Sequence, residues 1–265
     1  MILFFVPLYI AASGMQSQQN NVEAIAHNLA NMSTTGYKRR RVSQQDLLYI
    51  RRRSPGSTTS NAGTLAPSGL EVGLGVKSVG TYKVLEQGVP TQTFNPYHLT
   101  IQGEGYFQVQ RADGSIAYTR DGSFGLSPER VIVNKDGLAV QPGITIPQNA
   151  VGVNINEQGE VFARVDGTVG EQRVGQIELA TFPNPGGLED IGDNLALETP
   201  ASGTPLLGTP GGSGYGTLLQ SYLEGSNVNP VSEITGLIMS QRAYEMNTKV
   251  IQAADQMLSS IGQMR

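Results

Sequence analysis

Few side chains in this sequence could carry out chemistry. Glu23 and His27 stand four residues apart, which would place both on one face of a helix within reach of a metal ion. A metal site needs three or four protein ligands, and no third ligand follows at a suitable spacing, so the pair reads as solvent-facing or interfacial. His98 is the only other histidine, and Glu189, Asp190 and Asp193 surround Gly192 in what reads as a solvated loop. The absence of cysteine excludes a disulfide framework, a zinc-thiolate site, an iron–sulfur cluster and a thiol nucleophile. No glycine-rich phosphate loop, HExxH, GxSxG or calcium-loop pattern occurs, and no tryptophan offers a sugar platform. Paired carboxylates for glycoside hydrolysis are recognised only by their separation in space, so an enzyme reading survives as a remainder. The expectation is a non-enzyme with no cofactor and no metal.

Charge is more informative in its distribution than in its sum. The net charge is −4 and the pI is near 5.3. Residues 1–89 hold nine Lys/Arg against four Asp/Glu, whereas residues 90–230 hold six against fifteen. Seven of the eighteen basic residues fall in two runs, Lys38-Arg39-Arg40-Arg41 and Arg51-Arg52-Arg53. One reading is a solvated face whose self-repulsion aids solubility; the sharper one is a match between this positive segment, both runs together, and the acidic middle of a neighbouring copy. No aromatic residues interleave the arginines and no recognition motif accompanies them, so nucleic acid is not an expected partner.

The elements around these residues fall into three kinds. Apolar residues recur at Leu8, Ala11, Met15, Val22, Ile25, Leu29 and Met32, with Gln18 completing a 3-4-3-4 spacing that predicts a heptad helix. Its opposite face is Gln, Asn and Ser, so the helix calls for partners. The other end carries two stripes, Leu237/Tyr244/Ile251/Ala254/Leu258/Ile261 and Met239/Ala243/Met246/Val250/Ala253/Met257, and two stripes mean two partners. Asn229-Pro230 is a suitable start for that helix, with Glu233 in the first turn where the dipole favours negative charge. The start Met1-Ile-Leu-Phe-Phe-Val-Pro lacks the positive segment of a secretory signal and is too short to span a bilayer.

Between the helices, apolar alternations at Leu99/Ile101, Phe107/Val109, Val131/Val133, Val151/Val153/Ile155, Val161/Ala163/Val165 and Ile177/Leu179 predict strands. They are set apart by Asp113-Gly114, Asp121-Gly122, Asp136-Gly137 and Asp166-Gly167, which read as hairpins or tight turns. Residues 51–95 and 183–220 are rich in Gly, Ser, Thr and Pro, and read as extended connectors or ribbons. The expected fold class is α+β and discontinuous: N- and C-terminal helices form a coiled-coil-like inner domain (1–42 and 221–265), extended segments span 43–95 and 183–220, and an all-β domain covers 96–182. Gly36, just after the first helix, is expected at a turn position with φ > 0.

The stretch Ser13-Gly14-Met15-Gln16 through Asn28-Leu29-Ala30-Asn31, followed by Thr34-Thr35-Gly36-Tyr37-Lys38, resembles the N-terminal signature of bacterial flagellar rod and hook proteins. Tyr37 stands where that family more often has Phe. Glu224 to Glu233, with Leu237-Ile238 and Gln241-Arg242-Ala243-Tyr244-Glu245-Met246-Asn247, is similar to the same family's other end. Ile101 to Val109 and Tyr118 to Phe124 resemble the β-domain shared by distal rod and hook. The length, Asp46-Leu47-Leu48-Tyr49 and the connector Leu65-Ala-Pro-Ser-Gly-Leu70 resemble the distal-rod branch, whereas the apolar start departs from the family's usual polar opening.

The resemblance implies a structural subunit that assembles helically with itself into the distal rod, the drive shaft carrying torque across the periplasm to the hook. It also implies contacts with proximal rod subunits, with hook subunits or their junction and with the surrounding ring proteins, and passage through the flagellar type III export apparatus. The expected assembly residues are Met15, Val22, Ile25, Asn28, Leu29, Ala30 and Asn31, then Thr35, Gly36, Tyr37 and Lys38, the Arg51–Arg53 run, and Leu237, Gln241, Arg242, Ala243, Tyr244, Glu245, Ile251 and Leu258.

Overall fold

The heptad spacing from Leu8 onward becomes one helix, α1, which spans Ile2–Ala30 in a computed structural model of the chain. The structure describes residues 2–56, 67–166 and 170–263, with the side chains of 2–5 and 261–263 left aside. Met1 of the apolar start, Leu65 and Ala66 of the 65–70 connector, Gly167 of the fourth Asp-Gly pair and the Ile261 side chain therefore lie outside the described residues. These residues fall into two compact units, one made of 1–30, 40–82 and 229–265, the other of 31–39 and 83–228.

The first unit contains α1, four strands, β1 (Arg40–Asp46), β2 (Tyr49–Arg53), β3 (Leu70–Gly73) and β4 (Val76–Lys83), and the long helix α2 (Pro230–Gln263). Asn229 caps α2: its side-chain oxygen accepts from the Val231 and Ser232 amides at 3.1 and 3.3 Å, and Pro230 takes the first helical position, where no amide hydrogen is needed. The two helices run antiparallel. Asn28 meets Glu233, Ile25 meets Gly236, and Met15 meets Thr248. Small residues let the backbones approach: a Cβ on Gly14 would come within 2.9 Å of Asn247, and one on Gly236 within 3.4 Å of Ile25. Ala11, Ser17 and Ile25 on α1, and Ser240 and Ala254 on α2, are buried there. Met32 lies past the helix end and is exposed, so the repeat stops one step short of its expected length.

Strands β1 and β4 pair as a ribbon beside α1, where Asn20 donates to Ser78 at 2.9 Å and the Val76 amide donates to the Ser13 hydroxyl at 3.3 Å. Strands β2 and β3 form a second antiparallel ribbon with Arg51 opposite Glu71. The stretch from residue 43, expected as extended connector or ribbon, thus forms two paired ribbons. These strands are mostly exposed on both faces, so they carry no alternating apolar signal.

The second unit is all-β. Its strands are β5 (Pro90–Gln92), β6 (Leu99–Gln102), β7 (Tyr106–Gln110), β8 (Ile116–Thr119), β9 (Gly125–Leu126), β10 (Ile132–Val133), β11 (Ala139–Val140), β12 (Ala150–Ile155), β13 (Glu160–Val165) and β14 (Glu171–Gln176). The remaining six are β15 (Leu179–Thr181), β16 (Glu189–Gly192), β17 (Leu195–Leu197), β18 (Leu206–Gly208), β19 (Thr217–Gln220) and β20 (Tyr222–Glu224). A nine-stranded sheet runs β16-β17-β8-β7-β11-β10-β9, with β15 bridging β7 and β18. Strands β12-β13-β14 make a separate meander, and β19-β6 and β20-β5 are two-stranded. Phe107, Leu99, Ile101, Val161, Ile177 and Leu179 fill the core, and Phe107 meets Phe124 edge-on at 4.9 Å between centroids.

Three local expectations change here. Residues 183–220, expected as a connector, supply β16, β17 and β18 to the main sheet. Asp113-Gly114 and Asp136-Gly137 do turn hairpins, with Gly φ of +83° and +79°, but Gly122 has no positive φ. It marks a close crossing, since a Cβ there would lie 1.6 Å from the Leu99 carbonyl oxygen. Val151 is exposed because the register shifts between Ala150 and Gly152, and in β10 the buried residue is Ile132, between the expected Val131 and Val133.

Candidate assembly surface

The signature residues at the two ends of the chain are partners of each other. In the first unit Asn28 is fully buried. Its side-chain amide donates to the Arg40 carbonyl at 2.9 Å and to Glu233 at 3.1 Å, and its oxygen accepts from the Arg40 amide at 2.8 Å. Glu233, also fully buried, takes its second bond from the Arg41 guanidinium at 2.7 Å. A buried carboxylate must be paired and hydrogen-bonded, and these two neighbours do both. Glu233 thus has a larger task than the helix-dipole role expected of it.

In the second unit Glu224 is the centre. Lys38 Nζ donates to its Oε1 at 2.5 Å and to the Glu86 carbonyl at 2.8 Å, the Gly88 amide donates to Oε1 at 3.0 Å, and the Gly36 amide donates to the Glu224 carbonyl at 2.8 Å. Arg120 Nη1 lies 3.6 Å from Oε2, and its guanidinium sits over the Tyr106 ring at 5.5 Å. Burial pushes the Lys38 ammonium below the ordinary lysine range, with Glu224 pulling against that shift. Gly36 has φ +69°, as the turn requires, and a Cβ there would meet the backbone of Arg120 and Asp121 at 2.9 Å. Asn227 joins the same cluster, accepting from the Arg39 amide at 2.7 Å and donating to the Val84 and Glu86 carbonyls.

The expected assembly residues therefore divide. Asn28 and Gly36 are bound within the subunit, and so is the first basic run, expected to face a neighbouring copy: Lys38 pairs with Glu224, Arg39 with Glu86 and Arg41 with Glu233. Asn31 accepts from the Thr34 hydroxyl, the Thr35 carbonyl accepts from Asn194, and the Tyr37 carbonyl accepts from the Asn227 amide. Met15, Val22, Leu29, Leu237, Ile251 and Leu258 are half-buried along the helix pair, with Ile25 buried among them. Ala30, Gln241, Arg242, Tyr244, Glu245 and Arg51 to Arg53 are exposed, and Ala243 is half-buried. Glu224, Asn227 and Arg120 are partners that motif reading did not single out, although the first two lie inside the quoted C-terminal signature.

The second stripe of α2 stays open. Met239 is 67%, Met246 61%, Val250 47% and Met257 58% exposed, while Leu237, Ile251, Ala254 and Leu258 of the first stripe are buried or half-buried toward α1 and Tyr244 is exposed. Strand β2 is exposed throughout and carries the Arg51–Arg53 run, of which Arg51 pairs with Glu71 at 2.9 Å.

The possible reactive groups do not converge. Glu23 and His27 line an open groove with Asn20, Arg40 and Ser78, and Glu23 accepts from Gln19. His98 is occupied in a turn with Thr93 at 2.8 Å and Asn95 at 3.2 Å, and partial burial lowers its pKa. Asp190 of the acidic cluster pairs with Lys83. Among the described residues no three His, Asp or Glu side chains gather as metal ligands, and no helix is long and apolar enough to cross a membrane.

Three family models match the chain, in the order of its elements. Residues 8–38 match the model described as flagella basal body rod protein, 100–163 the D1 domain of the flagellar hook protein FlgE/F/G, and 219–264 the C-terminal region of flagellar basal body rod FlgEFG proteins. The chain is 54% identical to the flagellar basal-body rod protein FlgG of Caulobacter vibrioides, over 97% of its own length and 98% of that relative. It is 45% identical to FlgG of Agrobacterium fabrum over 96% and 97%. Against FlgF of Caulobacter vibrioides the identity is 32%, over 92% and 91%. With matches at both helical ends and in the β-unit, and with this identity over nearly its whole length, the chain belongs to the flagellar basal-body rod protein family, on its FlgG branch.

Proposed function

We propose that this chain is the repeating subunit of the distal rod of the flagellar basal body and polymerises helically by seating the open α2 stripe on helices of neighbouring copies. The observation that carries this reading is the row Met239, Ala243, Met246, Val250, Ala253 and Met257. It keeps a heptad spacing over five helical turns, yet its large members are exposed in the single subunit. A heptad seam is a helix-pairing surface, and a helix with two seams has a use for the second only when another helix arrives. A surface repeated head to tail without closing produces a filament.

The remaining exposed residues fit the same reading. Arg51, Arg52 and Arg53 would face acidic β-units of neighbouring copies, and Gln241, Arg242, Tyr244 and Glu245 would border the helix seam. Ala30 would lie at the end of the packed α1. Asn28, Gly36 and Lys38 would serve assembly indirectly, by holding each unit in its folded form. At the two ends of the polymer the same surfaces would meet proximal rod subunits and the hook or its junction, with ring proteins around the outside. A helix pair with few charges suits delivery through the type III export apparatus in an unfolded state, with ordering completed on assembly.

The test is polymerisation of the full-length chain carrying Met246→Glu. The charge sits on the open stripe, so the monomer should keep its helical circular dichroism and thermal transition while losing sedimentable polymer. A variant that polymerises at the rate of the unmodified chain would remove the stripe from the interface.

A further inference from the structure

With no cysteine in the chain, methionine is its only sulfur side chain, and three of its seven methionines lie on one stripe of α2. Met239, Met246 and Met257 are each more than half exposed, whereas Met15 is half-buried between the helices with its sulfur 3.5 Å from the Thr248 hydroxyl. Exposure governs which thioethers a peroxide reaches first. The positions between them on the stripe are Ala243, Val250 and Ala253, none of which offers a side-chain hydrogen-bond donor. A polar oxygen introduced among them would therefore find no side-chain hydrogen-bond donor on the stripe itself.

We propose that Met239, Met246 and Met257 are a peroxide-sensitive modification site that opens or closes the polymerisation face. This rests on the reading of the open stripe as the surface for a neighbouring copy. A hydroperoxide transfers one oxygen to each thioether: the O–O bond breaks, an S–O bond forms, sulfur is oxidised by two electrons, and the second oxygen leaves as water or an alcohol. The product sulfoxide is polar and is returned to the thioether by methionine sulfoxide reductases. Thioethers suit such a surface because their flexible chains adapt to neighbouring side chains; oxidation replaces that apolar, adaptable contact with a polar group.

The experiment uses the full chain, seeded with its own sheared polymer, treated with hydrogen peroxide and followed by light scattering, with sulfoxides located by peptide mass spectrometry. Elongation should slow at least about tenfold as the three stripe sulfoxides form, and should recover after reductase treatment. A Met239→Leu/Met246→Leu/Met257→Leu chain should elongate equally with and without peroxide, and each single Leu variant should lose part of the sensitivity. Met32, exposed but outside the stripe, supplies the control: Met32→Leu should leave the peroxide effect unchanged. Wild-type chain that elongates within twofold of untreated protein while fully sulfoxidised on the stripe overturns the inference, as does a triple variant slowed as much as wild type. Failure of the underlying reading looks different, since Met246→Glu would then polymerise normally without any peroxide.

Discussion

Asn28 of α1 and Glu233 of α2, 205 residues apart in sequence and both fully buried, share a hydrogen bond of 3.1 Å. The same Asn28 side chain receives and returns bonds to the Arg40 backbone, so one amide ties α1, β1 and the first turn of α2 together. An asparagine suits this position because it presents a donor and an acceptor on one short stem.

Asn28→Ala should therefore destabilise the helix unit by about 3 kcal/mol, because it leaves the Arg40 backbone groups and one Glu233 oxygen without their partner. Urea unfolding followed at 222 nm checks this. In a double-mutant cycle with Glu233→Gln the two losses should fall short of additive, since the side chains share a bond. Additive losses would mean that the bond contributes nothing of its own.

At Gly36 the backbone sets the demand. With φ +69° and a Cβ predicted to meet the Arg120 carbonyl carbon and Asp121 nitrogen at 2.9 Å, Gly36→Ala must both strain its own backbone and displace a neighbouring chain segment. A loss of at least about 2 kcal/mol is expected from the left-handed conformation and the clash together. Gly125→Ala is the matched control, having no positive φ and open space around its Cβ, and should be near neutral. Thermal denaturation of the two variants side by side gives the comparison.

What was legible in the sequence tracks how local its cause is. The two stripes of α2, the Asn229 cap and the turn at Gly36 depend on residues within one or a few helical turns, and the structure has all of them. The partners of Asn28 and Lys38 lie at the other end of the chain, and no spacing rule connects Lys38 to Glu224 across 186 residues. Asn28, Gly36 and Lys38, all within the signature motifs and expected at assembly contacts, make bonds inside the subunit that the motifs do not announce. The ribbons of β1 to β4 were legible only as extended connectors or ribbons without strand bounds, because strands exposed on both faces need no apolar alternation. In β12 a bulge moved Val151 to the outside, which a period-two count cannot anticipate.

Lys38 makes stability depend on pH in the alkaline range. Its folded pKa lies below the unfolded value of 10.5, because burial outweighs the attraction of Glu224. Between those two values the unfolded chain binds more protons than the folded one, so this group makes stability rise with pH, by at most about 1.4 kcal/mol per pH unit for one proton. Below the folded pKa its contribution is constant. Above pH 10 the partly buried Tyr106 acts in the opposite sense, since its raised pKa makes the folded state hold its proton longer. Urea midpoints measured from pH 8 to 10 should climb more in wild type than in Lys38→Met, which should also be less stable because Glu224 keeps its burial and loses its ammonium partner. Parallel pH profiles for the two proteins would assign the dependence elsewhere.

Arg51, Arg52 and Arg53 separate monomer stability from assembly. They occupy an exposed two-stranded ribbon, and the Arg51 pair with Glu71 has side chains 62% and 40% exposed. Such a pair contributes little to folding, so replacing all three arginines with Gln should move the monomer's unfolding midpoint by less than about 1 kcal/mol. Assembly is the place where the charge should matter. If the ribbon meets the acidic β-unit of a neighbour, the variant should polymerise more slowly at low salt and lose most of the salt sensitivity shown by the wild-type chain, because exposed charges are screened beyond a Debye length of about 10 Å at 0.1 M. Polymerisation rates measured at several salt concentrations for both chains decide it. Coincident curves with unchanged monomer stability would leave these arginines as a solvated face.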